Sequence, residues 1–211
     1  MTAALVLFFD FLGTVAFAIS GALVGVGKKM DLFGVIVLAV ATATGGGAIR
    51  DLVIGNIPLN MFRNPLYVGI ASVVALVVFI LCYRHARMPQ KLGPVYDKLL
   101  FWFDTLGLAA FTVDGIMVGV NCGYGSSRFL LVFLGFLTAV GGGTLRDVLA
   151  GRIPDIFIKH IYAVAAIAGG LVLTLTRGYG ERISMVLGFS LVILLRCLAA
   201  HYRWNLPRIR E

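Results

Sequence analysis

The sequence predicts an all-α polytopic membrane protein with seven transmembrane helices, arranged as two inverted three-helix repeats plus a seventh helix. Three observations predict it: the composition, seven long apolar runs, and a motif that occurs twice. Of the 211 residues 60% are hydrophobic and 13% charged, with a mean hydropathy of +0.97, where an ordinary soluble domain carries about 25% charged residues. A soluble core of this size cannot hide so much apolar surface. The Lys and Arg residues cluster between the apolar runs, which is the pattern a bilayer imposes.

A helix needs roughly 20 mainly apolar residues to cross the hydrocarbon layer. Runs of that kind are Leu5–Gly25, Phe33–Ile54, Leu66–Tyr83, Leu99–Gly119, Phe129–Ala150, Ile158–Thr176 and Ile183–Tyr202. Each is apolar all round, whereas barrel strands show segments of about ten residues of alternating polarity. The first run is a span and not a signal peptide, although Ala16-Phe17-Ala18 resembles a cleavage site. No Lys or Arg precedes it, and Asp10 sits inside it.

The basic residues set the orientation. One set of loops holds Lys28, Lys29, Arg84, Arg87, Lys91, Lys98, Arg152, Lys159, Arg203, Arg208 and Arg210; the other holds Arg63, Arg128, Arg177 and Arg182. Eleven against four places the C-terminus in the cytoplasm and the N-terminus outside. Membrane lipids, anionic head groups above all, are the expected partner of these charges, and the basic tail reads as a topology anchor and not a nucleic-acid site. Cys82, Cys122 and Cys197 have no metal or redox spacing and read as packing residues. His85, His160 and His201 fall at membrane edges, where an interfacial role is expected. No nucleophile constellation or ligand cluster points to an enzyme or to a tightly bound metal.

Gly45-Gly46-Gly47-Ala48-Ile49-Arg50-Asp51 recurs as Gly141-Gly142-Gly143-Thr144-Leu145-Arg146-Asp147, and both copies run on to Gly-x-Ile-Pro at Gly55–Pro58 and Gly151–Pro154. The first helices of the halves also match, with Asp10, Gly13, Phe17, Gly21 and Gly25 aligning with Asp104, Gly107, Phe111, Gly115 and Gly119. Tyr67 and Tyr162 extend the match into the third helices. Each half holds an odd number of spans, so the second enters from the opposite side, an architecture used by many transporters. The expected divisions are 1–83 for the first repeat, 84–98 for a basic cytoplasmic linker, 99–176 for the inverted repeat, and 177–211 for the seventh helix and basic tail.

Three consecutive glycines in a helix cost up to about 1 kcal/mol each relative to Ala. At about 1.5 Å per residue the first triplet lies roughly 18 to 21 Å from Phe33, past the bilayer middle. A kink or unwound turn there frees carbonyls that must face protein or water, at the negative pole of the first half-helix, where a cation is attracted. Thr42 and Thr138, each three residues before a triplet, add hydroxyl oxygens. The alternative is close packing, which is the reading for Gly21-x-x-x-Gly25 and Gly115-x-x-x-Gly119. For the triplets a kink lining a pathway is favoured, because packing asks for a glycine every fourth residue. Arg50 and Asp51, like Arg146 and Asp147, point about 100° apart as helix neighbours, so partners are expected from Asp10, Asp104 and Asp114 on other helices. Snorkelling to the interface is the alternative for the arginines. Asp114 lies deep in the fourth span where the other half has Ser20, which makes it the sharpest functional candidate. Arg196 is either its counter-charge or a snorkelling residue.

The paired Gly-Gly-Gly-x-x-Arg-Asp motifs and the three-plus-three-plus-one helices resemble the prokaryotic relatives of the trimeric intracellular cation (TRIC) channels, a sequence class that includes bacterial proteins described as glycine transporters. The resemblance covers nearly the whole chain. It implies a homotrimer in a prokaryotic plasma membrane, with a potassium-conducting pore in each protomer lined by kinked helices 2 and 5. Under that expectation the ion pathway runs past Thr42, Gly45, Gly46, Gly47, Thr138, Gly141, Gly142 and Gly143, with a permeant monovalent cation near Gly45 and Gly141. Arg50, Asp51, Asp114, Arg146 and Asp147 set the electrostatics or the gate. No cofactor is expected beyond the permeant ion and a bound lipid. The rival reading is a secondary transporter of a small amino acid such as glycine.

Overall fold

The structure, a computed structural model, describes residues 2–85, 93–158 and 161–204. Among the described residues, seven helices are long and apolar enough to cross a membrane. In chain order the helices are α1 (Thr2–Gly27), α2 (Leu32–Val53), the short α3 (Asn60–Arg63), α4 (Leu66–His85), α5 (Gly93–Gly119), α6 (Arg128–Leu149), the short α7 (Asp155–Ile158), α8 (Tyr162–Thr176) and α9 (Glu181–His201). The sixth span therefore starts at Tyr162, not Ile158, because Ile158 closes the short helix before it. Residues 93–98, read from sequence as linker, are the first turns of α5. The side chains of Arg87, Lys91, Lys159, His160, Arg208 and Arg210 lie outside the described residues.

Local sequence explains the helix ends. Asp31 caps α2 by accepting from the Gly34 N–H at 2.7 Å, and Ser127 caps α6 by accepting from Leu130 at 3.4 Å. At the other ends Gly55 (φ 69°) and Gly151 (φ 62°) take the left-handed conformation that glycine adopts without strain. The Asn56 N–H then reaches the Asp51 carbonyl at 2.8 Å and the Arg152 N–H the Asp147 carbonyl at 3.0 Å, the paired terminal bonds of a Schellman motif. The glycine of the repeated Gly-x-Ile-Pro thus stops each helix two residues after Arg-Asp, at Val53 and Leu149.

The packing follows the repeat. α1 lies against α5 and α2 against α6 across the pseudo-twofold axis, while α4 and α8 close the outside of their own halves. Gly21 and Gly115 sit at equivalent close crossings: a Cβ at Gly21 would stand 2.6 Å from Thr42 Oγ1, and one at Gly115 2.5 Å from Thr138 Oγ1. These are the packing glycines that their spacing predicts. Large apolar side chains such as Leu7, Phe8, Val73, Val77 and Leu194 are half or more exposed on the outer surface, the face a bilayer covers. Among the cysteines, Cys82 and Cys197 are partly buried, but Cys122 is exposed in the wide turn Val120–Tyr124 and is not the packing residue expected.

Candidate functional site

The two glycine triplets meet at the centre of the molecule. The expected break is absent: α2 and α6 keep α-helical backbone through Gly45–Gly47 and Gly141–Gly143, so no carbonyl is released there. The physical reason is that the three glycines of each triplet do three different jobs, because successive helix positions fan out by about 100° and meet different neighbours. The first makes room for a side chain of the other half: a Cβ at Gly45 would lie 2.5 Å from Leu145, and one at Gly141 3.3 Å from the equivalent Ile49. The second lets the backbones touch. A Cβ at Gly46 would fall on the Thr138 carbonyl oxygen and one at Gly142 on the Thr42 carbonyl oxygen, an approach only glycine permits. The third faces a polar cluster: a Cβ at Gly47 would lie 3.5 Å from Arg50 Nη2, and one at Gly143 2.9 Å from the Tyr162 hydroxyl and 3.7 Å from Arg146 Nη2. Thr42 and Thr138 are buried and donate back to Leu38 and Leu134 carbonyls at 2.6 and 2.7 Å.

Each arginine of the motif is buried inside the bundle, Arg50 at 3% and Arg146 at 0% exposure, which excludes snorkelling. Both find partners on other helices as expected: Arg50 Nη1 donates across the halves to Asp114 at 2.8 Å, while Arg146 Nη1 donates to Asp104 of its own half at 2.6 Å and across the halves to Ser20 at 2.5 Å. Both also pair with the neighbouring aspartate, contrary to the helical-spacing argument. Arg50 Nε and Nη2 reach Asp51 at 3.1 and 3.0 Å, and Arg146 Nε reaches Asp147 at 2.8 Å. The long guanidinium arm folds round the helix to reach a residue that stubbier chains could not. Asp51 and Asp147 use their second oxygens to accept the N–H of Asn60 at 2.8 Å and of Asp155 at 3.0 Å, so they anchor the loop that follows each helix.

On the Arg50 side, a polar cavity of about 30 Å³ is lined by Asp10, Asp51, Asp114, Arg50, Tyr67, Gly47, Thr14, Thr138 and Phe111 among others, enough for a water or two. One guanidinium here faces three carboxylates. On the Arg146 side three guanidinium groups, of Arg146, Arg152 and Arg196, stand among Asp104, Asp147 and Asp155. Arg196 faces Asp104 at 3.9 Å and stacks over Phe101 and Tyr162, so it is neither the counter-charge of Asp114 nor a snorkelling residue. Arg146 Nη2, Arg196 Nη2 and the Tyr162 hydroxyl are buried donors without a hydrogen-bond acceptor among the described residues.

Sequence reasoning brought Asp114, Asp104 and Asp10 forward as partners but left Asp10 and Asp104 out of the expected site. Their signal was present, since both head the repeat-matched first helices. Asp155 carried only its place after Pro154, and Arg152 was read for topology alone.

These geometries can be set beside known proteins. A family model described as glycine transporter matches residues 7–83 and again 101–177, one copy per half. The chain belongs to that family. Its members among curated proteins include a UPF0126 membrane protein of Deinococcus radiodurans, 38% identical over 94% of this chain and 89% of its own length. The UPF0126 inner membrane protein YadS of Escherichia coli K12 is 36% identical, covering 96% of this chain and 95% of its own. Among solved structures, the TRIC trimeric intracellular cation channel orthologue from Rhodobacter sphaeroides superposes with a TM-score of 0.85, 31% identity, and coverage of 95% of this chain and 99% of that one. A prokaryotic TRIC channel in 0.5 M KCl superposes with a TM-score of 0.86 at 29% identity, over 97% and 100%. This glycine-transporter-family chain therefore has the TRIC fold, that of multi-pass membrane channels and not of enzymes.

Proposed function

We propose that the protein is a monovalent cation channel, selective for potassium, with a pore in each protomer of a homotrimer. The single observation that carries this reading is the placement of two polar clusters inside the membrane span, one on each side of the α2–α6 crossing, with an excess of carboxylates on the Arg50 side. A low-dielectric cavity lined by Asp10, Asp51 and Asp114 against one arginine raises the local cation concentration. The TRIC channels of the same fold support the ion class and the trimer. The distribution of basic residues puts the Arg50 cavity on the extracellular side and the Arg146 cluster on the cytoplasmic side of a prokaryotic plasma membrane, N-terminus out. The ion path follows Thr42, Gly45–Gly47, Thr138 and Gly141–Gly143, and it conducts when the α2–α6 crossing parts. Arg50, Asp114 and Arg146 set the field along it, while Asp51 and Asp147 hold the arginines in place.

One observation favours a second reading, uptake of a small amino acid such as glycine: Arg146 Nη2 and Arg196 Nη2, whose carboxylate partners stand off at 3.7 and 3.9 Å, and the Tyr162 hydroxyl have hydrogen bonds left to give among the described residues, which suits a substrate carboxylate. Purified protein in planar bilayers separates the two. Discrete unitary potassium currents are expected; saturable glycine counterflow without such currents would overturn the channel reading.

A further inference from the structure

Phe17 on α1 and Phe111 on α5 are repeat-equivalent, buried at 0% and 5% exposure, and packed edge to face with ring centroids 5.2 Å apart at 70°. Two equivalent glycines seat them. A Cβ at Gly13 would lie 2.7 Å from the Phe111 ring, and one at Gly107 would fall on the Phe17 ring. The pair occupies a defined level of the molecule. Phe111 lines the floor of the Arg50 cavity beside Thr14 and Thr138. Phe17 lies on the other side, its Cδ2 3.2 Å from the position of a Cβ on Gly142, and the next residue, Gly143, already faces Arg146 and Tyr162 of the opposite cluster. Between the two polar clusters the chain therefore places two aromatic rings and the glycine backbone crossing, inside a core that includes Ala18, Leu108, Ala139 and Val140.

We infer that Phe17 and Phe111 form the dry barrier between the two polar clusters, and that passage of ions requires these rings to part. An apolar constriction of this kind stops ions by excluding water, since a cation cannot shed its hydration into a ring face that offers too few acceptors. The rings fill the space that Gly13, Gly107 and Gly142 leave by having no side chain, so each ring packs directly against helix backbone. The consequence for flux rests on the channel reading; the dryness of the pair does not.

Two measurements test it. The first uses the native protein in lipid nanodiscs and follows hydroxyl-radical labelling by mass spectrometry. Phe17 should be labelled at least about tenfold more slowly than Tyr67, which faces the water-sized cavity; equal labelling would overturn the barrier with no appeal to transport. The second follows rubidium uptake into proteoliposomes for Phe17→Ala, Phe111→Ala and the bulk-retaining Phe111→Leu. The alanine variants should raise resting flux about tenfold or more, and Phe111→Leu should stay near the wild type. Unchanged resting flux in alanine variants that keep their oligomer in gel filtration overturns the barrier and leaves a conducting wild type as a channel. If the wild type moves glycine and passes no current, the channel reading fails, and the barrier is still decided by whether the alanine variants leak rubidium.

Discussion

Arg50 and Arg146 occupy equivalent places in the two repeats, yet their surroundings differ in charge. Arg50 stands alone among Asp10, Asp51 and Asp114, whereas Arg146 shares Asp104, Asp147 and Asp155 with Arg152 and Arg196. The motif itself is the same in both, down to the aspartate that holds the arginine and then accepts an N–H from the next loop. What differs lies outside the motif: Asp114 where the first half has Ser20, Arg152 and Asp155 in the second connection, and Arg196 on α9, the helix that has no counterpart. A duplicated backbone can thus be given an acidic mouth at one end and a balanced cluster at the other by a handful of unrepeated side chains.

The comparison can be broken most severely at Arg50. Removing a partner from a buried ion-pair network costs about 3–5 kcal/mol, because the carboxylates left behind stay uncompensated. Arg50→Ala, which leaves Asp51 and Asp114 without their cation, should therefore lower the thermal midpoint in detergent more than Arg146→Ala, where Arg152 and Arg196 still stand beside Asp147 and Asp104. Equal losses would show that the two clusters are energetically alike. A smaller effect is expected at the crossing. Gly46→Ala and Gly142→Ala each push a methyl group into a facing carbonyl and should cost about 1–3 kcal/mol as overpacking. Gly47→Ala meets nothing closer than Arg50 Nη2 at 3.5 Å and should be neutral or gain up to about 1 kcal/mol from helix propensity. Denaturation of the three variants side by side checks whether the glycines of a triplet really divide their roles. The gentlest change sharpens the charge comparison: the exchange Asp114→Ser with Ser20→Asp moves a carboxylate from one end to the other. The current-voltage relation should then rectify in the opposite sense, by about twofold; an unchanged relation would disconnect these residues from conduction.

Much of the architecture was readable before any coordinates. Apolar length identifies spans because lipid leaves the backbone no partner outside the helix, and the doubled motif establishes the repeat. The site was only partly legible. Asp114, Asp104 and the two arginines announced themselves as charges inside apolar runs, where they need partners. The glycine triplets misled, since a run of glycines permits unwinding and close approach equally, and the choice between them depends on what stands opposite. Here the opposite helix brings its own glycine and a carbonyl to the same point, and the helix stays whole. The pairing of Arg50 with Asp51 was hidden for a related reason: angular spacing describes Cβ directions, while a guanidinium sits several bonds further out.

By itself the chain's order of residues determined the lipid environment, the number of spans and the inverted duplication, because those depend on local length and polarity. Tertiary structure decided which charges face one another, that the triplets seal instead of break, and that Phe17 and Phe111 lie between two polar clusters. Such facts arise from contacts between residues 64 to 126 positions apart in sequence, and no local rule carries distance.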